Sequence, residues 1–195
     1  MASDIFRALR PALVLVGLFV LLLGFAYPFA ILGVGQALFP HQANGSLVRE
    51  GGKVIGSERV GQAFTSPRYF NTRPSAAGKG YDANASSGSN MGPTNKALAE
   101  RIATDIAAQR DTGVTGNIPA DLVTASASGL DPDLSPAAAL VQVPRIAAAR
   151  GIDAASVRAL VEANIVPPAL GLIGEPDVNV LALNRALDAA GTVAR

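Results

Sequence analysis

The chain has 195 residues, 49% hydrophobic and 16% charged, with no cysteine, no tryptophan and one histidine. Sixteen Lys and Arg against fifteen Asp and Glu leave a net charge of +1, which excludes a protein that grips nucleic acid through a basic excess. Zero cysteines exclude a disulfide scaffold, a thiol nucleophile, an iron–sulfur ligand set and a cysteine zinc finger together.

The apolar residues are gathered at one end. Pro11 to Pro40 is free of charge and contains LVLVGLFVLLLGF. About 20 apolar residues cross the hydrocarbon core of a bilayer, so this run is long enough to span. A secretory signal is the competing reading, but its apolar region covers about 7–15 residues before a small-residue cleavage site. The run here is longer, and FAYPFAIL beyond it offers no such site, which favours a retained transmembrane helix over 12–36. Pro28 is expected to kink that helix or to open its last turn. Tyr27, Phe29 and Phe39 suit the far headgroup layer. Arg7 and Arg10 precede the run, and the next basic residue is Arg49. The positive-inside bias therefore places 1–11 in the cytoplasm and 37–195 outside, in the periplasm of a bacterial cell.

Ser46–Ser57 reads as two short strands around the turn signal Gly51-Gly52. Residues 65–95 hold sixteen Gly, Pro, Ser or Asn, a long irregular stretch of the kind that carries function or disorder. Its aromatic residues, Tyr69, Phe70 and Tyr81, argue against plain disorder. Asn95 is an N-cap signal for a helix to about Arg110, with Leu98, Ile102 and Ile106 on one stripe. Ser135-Pro136 starts a helix toward Arg150-Gly151, bent or divided at Pro144. Asp153 caps a third helix carrying Val157, Leu160 and Val161. After the turn Gly174-Glu175-Pro176, Val178–Leu183 reads as a buried strand entering a last helix to about Ala190. The fold class is α+β: a single N-terminal transmembrane helix followed by one mixed domain of short strands and three or four helices.

Catalytic patterns are scarce. The only candidate base, His41, lies at the end of the apolar run, and no G-x-S-x-G elbow or G-x-x-x-x-G-K-[ST] loop occurs. Asp131-Pro132-Asp133 lacks the other ligands of a calcium loop, so no metal site is assigned. One weak anion signal remains: the turn Ser126–Gly129, with Ser128, leads toward the Ser135 helix start, followed by Gln142, Arg145 and Arg150. Ordinary capping and surface arginines explain it more cheaply.

Taken in order, several motifs form a familiar series. Phe64-x-x-Pro67-x-Tyr69-Phe70-x-x-Arg73-Pro74-Ser75 is followed by Ser87-Gly88-Ser89-Asn90-x-Gly92-Pro93-x-Asn95. Then come Leu122–Pro132, Gln142-Val143-Pro144-Arg145 with Ala149-Arg150, and Gly174-Glu175-Pro176-x-Val178-Asn179-Val180-Leu181 with Leu183-Asn184. Behind one N-terminal membrane helix, this series resembles the C chain of the Kdp potassium-transporting ATPase, from Arg10-Pro11 to Leu187. One departure is Asp133, where many members carry histidine. The resemblance implies a non-catalytic subunit of a bacterial inner-membrane pump. Its implied partners are a channel-like, potassium-selective A chain, an ATP-hydrolysing P-type B chain and a very small F chain. The outer domain is implied to cap the mouth of the A chain. A catalytic-chaperone role, raising the ATP affinity of the B chain, is implied too, with ATP and potassium belonging to the complex.

On this basis residues 64–95 are the expected docking surface, through Phe64, Tyr69, Phe70, Arg73, Ser89, Asn90 and Asn95. For Phe64 and Phe70, plugging the domain's own core is an equally good expectation. Ser126, Ser128, Gly129, Gln142 and Arg145 are the candidates for direct nucleotide or anion binding. A membrane-anchored periplasmic binding protein or hydrolase remains the alternative to a pump subunit.

Overall fold

The computed structural model describes residues 2–193 and divides into two compact units, Met1–Leu47 and Val48–Arg195.

The first unit is helical. α1 (Ala2–Leu21) passes through a π-helical turn, Leu22–Ala26, into α2 (Tyr27–Leu38), and one short helix, α3 (Pro40–Ala43), follows. Phe6–Leu38 is one helical stretch of 33 residues whose most apolar window has a mean hydropathy of 2.5 and is not buried at all. At 1.5 Å per residue that is about 50 Å of helix, more than a bilayer core requires. Pro28 explains the π turn. Its nitrogen cannot donate, and its ring crowds the carbonyl four residues back, at Gly24. The ladder adjusts one turn earlier, where the Tyr27 N–H donates to the Leu22 carbonyl five residues away. The helix then continues to Leu38, so Pro28 does not open a last turn. Phe39, with φ −135° and ψ 56°, is what ends it.

The second unit is α+β. β1 (Leu47–Glu50) and β2 (Lys53–Ser57) make the expected hairpin. Gly51 and Gly52 both have positive φ, 54° and 81°, as a two-residue turn matched to strand twist demands. An irregular stretch leads to α4 (Lys96–Asp111), then a 3₁₀ turn at Ala120–Leu122, and β3 (Asp133–Leu134). α5 (Pro136–Leu140), α6 (Val143–Arg150) and α7 (Ala154–Ala163) follow, then β4 (Val178–Asn179) and α8 (Val180–Val193). β3 pairs antiparallel with β4, Asp133 opposite Asn179 and Leu134 opposite Val178.

Capping sets most helix starts. Asn95, Ser135 and Asp153 accept from the backbone N–H groups of Ala97, Ala138 and Ser156. Pro144 divides α5 from α6, and Gly151, at φ 69°, stops α6. One boundary differs from the sequence expectation. The strand at Val178 ends at Asn179, because the Asn179 side chain accepts from the Ala182 N–H at 3.1 Å and starts α8 early.

The core gathers Phe70, Leu122, Leu134, Val143, Ile146, Val157, Val161, Val178, Leu183 and Leu187. It lies between α5–α8, with Phe70 inserted from the irregular stretch. α4 contributes no buried residue. Leu98 and Ile102 of its stripe are half-buried and Ile106 is exposed, so the stripe packs only loosely.

Candidate functional site

The irregular stretch is held by side chains that imitate a strand partner. Asn184, buried on α8, accepts from the Phe70 N–H at 2.8 Å and donates to the Phe70 carbonyl at 3.0 Å. Gln142, buried just before α6, does the same for Asn71: its Oε1 accepts at 2.8 Å and its Nε2 donates at 3.1 Å. Two amides thus satisfy the backbone N–H and C=O groups of two consecutive residues that have no strand beside them.

Arginines complete the clamp. Arg145 donates to the Pro67 and Tyr69 carbonyls, at 2.6 and 3.0 Å, and to Gln142 Oε1 at 2.8 Å. Burial lowers its pKa from the usual guanidinium value. Arg150 donates to the Arg68 carbonyl at 2.8 Å, pairs with Asp188 at 2.7 Å and lies 4.9 Å from the Tyr69 ring centroid. The Tyr69 hydroxyl donates to Asp188 at 2.9 Å. That bond, then burial and the negative charge of Asp188, raises the Tyr69 pKa.

A second crossing lies further along. Arg73 pairs with Asp131 at 2.9 Å, and the Tyr81 hydroxyl donates to the Arg73 carbonyl. Ser75 donates to the Gly129 carbonyl at 2.6 Å, while the Ser87 N–H donates to that of Ser128 at 3.0 Å. Gly129, at φ 67°, is wedged here. A Cβ on it would lie 2.6 Å from Ala77 N and 2.6 Å from Ser87 O. The turn's own hydroxyls bond inward, Ser126 accepting from the Gly129 N–H at 2.9 Å and Ser128 from that of Leu130 at 3.1 Å.

Beside Arg73 is a hollow of about 440 Å³ lined by Asp121, Asp131, Asp133, Ser135, Glu175 and Asp177, among others. Burial raises the Asp133 pKa, aided by Asp177 and Asp131 and opposed by the Asn179 amide at 2.8 Å and by Arg59. For Asp121, burial works upward, but hydrogen bonds from Ser135 outweigh it and hold the carboxyl low. The Ser135 N–H is 2.7 Å from Asp121 Oδ2. This is an acidic recess carrying one guanidinium. Among the described residues no group of three or more His, Asp or Glu has the arrangement of a metal site.

The expected docking residues therefore fall into three kinds. Phe70 is fully buried and Phe64 is half-buried, in ring contact with Tyr69 at 6.1 Å. Tyr69 and Arg73 are half-buried and internally bonded, whereas Ser89 is half-buried and Asn90 and Asn95 are exposed, Asn95 as the α4 cap. The anion candidates divide as well. Ser126, Ser128 and Gly129 serve the second crossing, while Gln142 and Arg145 serve the clamp, and no hydrogen bond joins the two groups among the described residues.

A profile of the family described as "KdpC: K+-transporting ATPase, c chain" matches residues 9–189. The chain belongs to the KdpC family. The potassium-transporting ATPase KdpC subunit of Caulobacter vibrioides (strain NA1000 / CB15N) is 62% identical over 182 residues, 93% of this chain and 92% of that one. Those of Gemmatimonas aurantiaca and Rhodospirillum rubrum are 58% and 55% identical, covering 92% and 93% of this chain and 92% and 95% of theirs. As a KdpC chain it is a subunit of a potassium-transporting ATPase complex. Asn184 and Asn179 lie within the motifs of the sequence, yet the sequence alone assigns neither a role. An asparagine inside a helical apolar pattern, Leu183-Asn184 and Leu187, was the available signal, since a polar group there must find a buried partner.

Proposed function

We propose that this KdpC chain is a non-catalytic assembly subunit of the potassium pump. Residues 12–36 anchor it once in the inner membrane, with the N-terminus in the cytoplasm and the α+β domain in the periplasm. There the domain docks on the channel-like A chain and caps its outer mouth, beside the P-type B chain and the small F chain. It acts on ATP affinity as a chaperone of the B chain and not as a nucleotide site. The carrying observation is how the polar side chains are spent. Gln142, Arg145, Arg150 and Asn184 are committed to the domain's own backbone, as in a rigid block built to be held against something. The charge pattern, Arg7 and Arg10 before the span and none until Arg49, supports the orientation. Exposed Asn90 and half-buried Ser89, with the outer edge of Tyr69, offer the polar part of a docking face.

Gentle solubilisation followed by sizing tests the reading. The chain should elute with two much larger membrane chains, and a lone species of about 20 kDa, close to its own 19.8 kDa, would sink it.

A further inference from the structure

The most exposed apolar surface of the α+β unit belongs to neither crossing. Between α7 and β4 the chain turns back on itself as a small hairpin. Val166 and Asp177 exchange backbone hydrogen bonds at 2.8 and 3.1 Å, and Ala169 and Ile173 do so at 2.9 and 3.0 Å. At its tip Leu170 is 90% exposed, Leu172 89% and Ile173 66%. Leu170 also has φ 55°, a left-handed conformation that a branched aliphatic residue adopts only under strain and that Gly or Asn would adopt easily. A folded domain gains nothing from an exposed leucine in a strained position. Such an outlier points to a use outside the chain.

The geometry points to this hairpin as an apolar plug that seats in a groove of another subunit of the ATPase complex, one rimmed by Lys or Arg. Charge selects that occupant over lipid. From Ala163 to Gly174 there is no charge and no aromatic residue, and the nearest charges along the chain are Glu162, Glu175 and Asp177, all acidic. Segments that enter a bilayer surface carry Trp, Tyr, Lys or Arg at their edges, and an anionic leaflet repels carboxylates. At the hairpin base Glu175 and Asp177 join Asp121, Asp131 and Asp133 around the acidic recess. On the opposite side of the base Val166 and Asp177 share a hollow with Arg59 and Arg185, so the collar is acidic on the recess side. There an apolar tip over carboxylates is complementary to an apolar groove with a basic rim. The one guanidinium in the recess, Arg73, is paired with Asp131 there. This inference rests on the assembly role proposed above and gives it a contact.

Two measurements on the full chain test it. The first co-expresses the double variant Leu170→Asn/Leu172→Ser with the other subunits and measures its recovery in the purified complex. Recovery at matched expression should fall at least tenfold, with the melting temperature of the detergent-solubilised variant equal to or above that of wild type, because Asn relieves the strain. Undiminished recovery overturns the plug while the assembly role stands, whereas failure of wild type to assemble removes the assembly role itself. The second uses the absence of native cysteine: Leu172→Cys carries a polarity-sensitive fluorophore in nanodiscs of phosphatidylcholine and phosphatidylglycerol. Emission should shift to the blue only when the partner subunits are present. A blue shift in the chain alone assigns the tip to lipid and overturns the groove.

Discussion

At single residues, the domain solves a problem created by its own irregular stretch. Phe70 must reach the core, and its peptide groups go with it, away from water and from any strand. Asn184 is the solution, accepting at 2.8 Å from the N–H and donating at 3.0 Å to the carbonyl of Phe70 itself. Asn184→Ala leaves a buried N–H and C=O unpaired, which costs about 2–4 kcal/mol. For a domain of this size the melting temperature should fall by on the order of 10 °C. Circular dichroism of the solubilised full chain measures it. Asp188→Ala removes the partner of Tyr69 and of the nearly buried Arg150. Asp188 is half open to water, however, and Arg150 keeps the Arg68 and Leu187 carbonyls, so the cost should be smaller, about 1–2 kcal/mol. Equal effects would mean that Asn184 is not the anchor of Phe70. The same reasoning changes how docking variants are chosen. Tyr69→Ala and Arg73→Ala each remove an internal bond, to Asp188 and Asp131, so lost assembly would be entangled with lost stability. Ser89 and Asn90 are cleaner probes.

Among elements, local signals and tertiary ones separate clearly. Helix starts were legible because capping is local: Asn95, Ser135 and Asp153 each carry their signal within three residues. The β1–β2 turn was legible for the same reason. The pairing of β3 with β4 was not, since two-residue strands 46 positions apart leave no periodicity to read. Nor was the clamp, because Gln142, Arg145 and Asn184 find their partners more than 70 residues away. The hairpin tip was hidden differently. Leu170, Leu172 and Ile173 have the composition of a core, and only the fold reveals them as exposed. α4 shows that a good sequence pattern does not guarantee packing, for it buries no residue completely. Its start therefore depends on Asn95, whose Oδ1 holds the Ala97 N–H at 2.8 Å. Asn95→Ala should weaken the cap by about 1 kcal/mol and speed amide exchange in the first turn of α4 roughly fivefold. The global melting temperature should not move. A matching fall in melting would show that α4 belongs to the cooperative core after all.

For the whole molecule, two accounts of ATP compete: the chain meets the nucleotide, or it influences a partner that does. In the topology proposed above, with the α+β unit in the periplasm, cytoplasmic nucleotide would not reach it. The groups best suited to phosphate are also occupied. The Gly129 and Leu130 N–H groups donate to Ser126 and Ser128, and Gln142 uses both ends of its amide on Asn71. The ATP affinity of the pump should therefore depend on this chain only by coupling through its partners. Such couplings are typically about 1–3 kcal/mol, a change of roughly 5–150-fold. A fluorescent ATP analogue titrated against the full chain in nanodiscs should give no saturable signal. The same analogue should bind more tightly to the complex containing the chain than to one assembled without it. Ser128→Ala is the informative variant, because Ser128 is exposed and its hydroxyl accepts only one backbone bond. Gln142→Ala is a poor choice, since it orphans the Asn71 peptide and destabilises the fold. Micromolar binding by the chain alone that vanishes in Ser128→Ala would establish a direct site and overturn the coupling account.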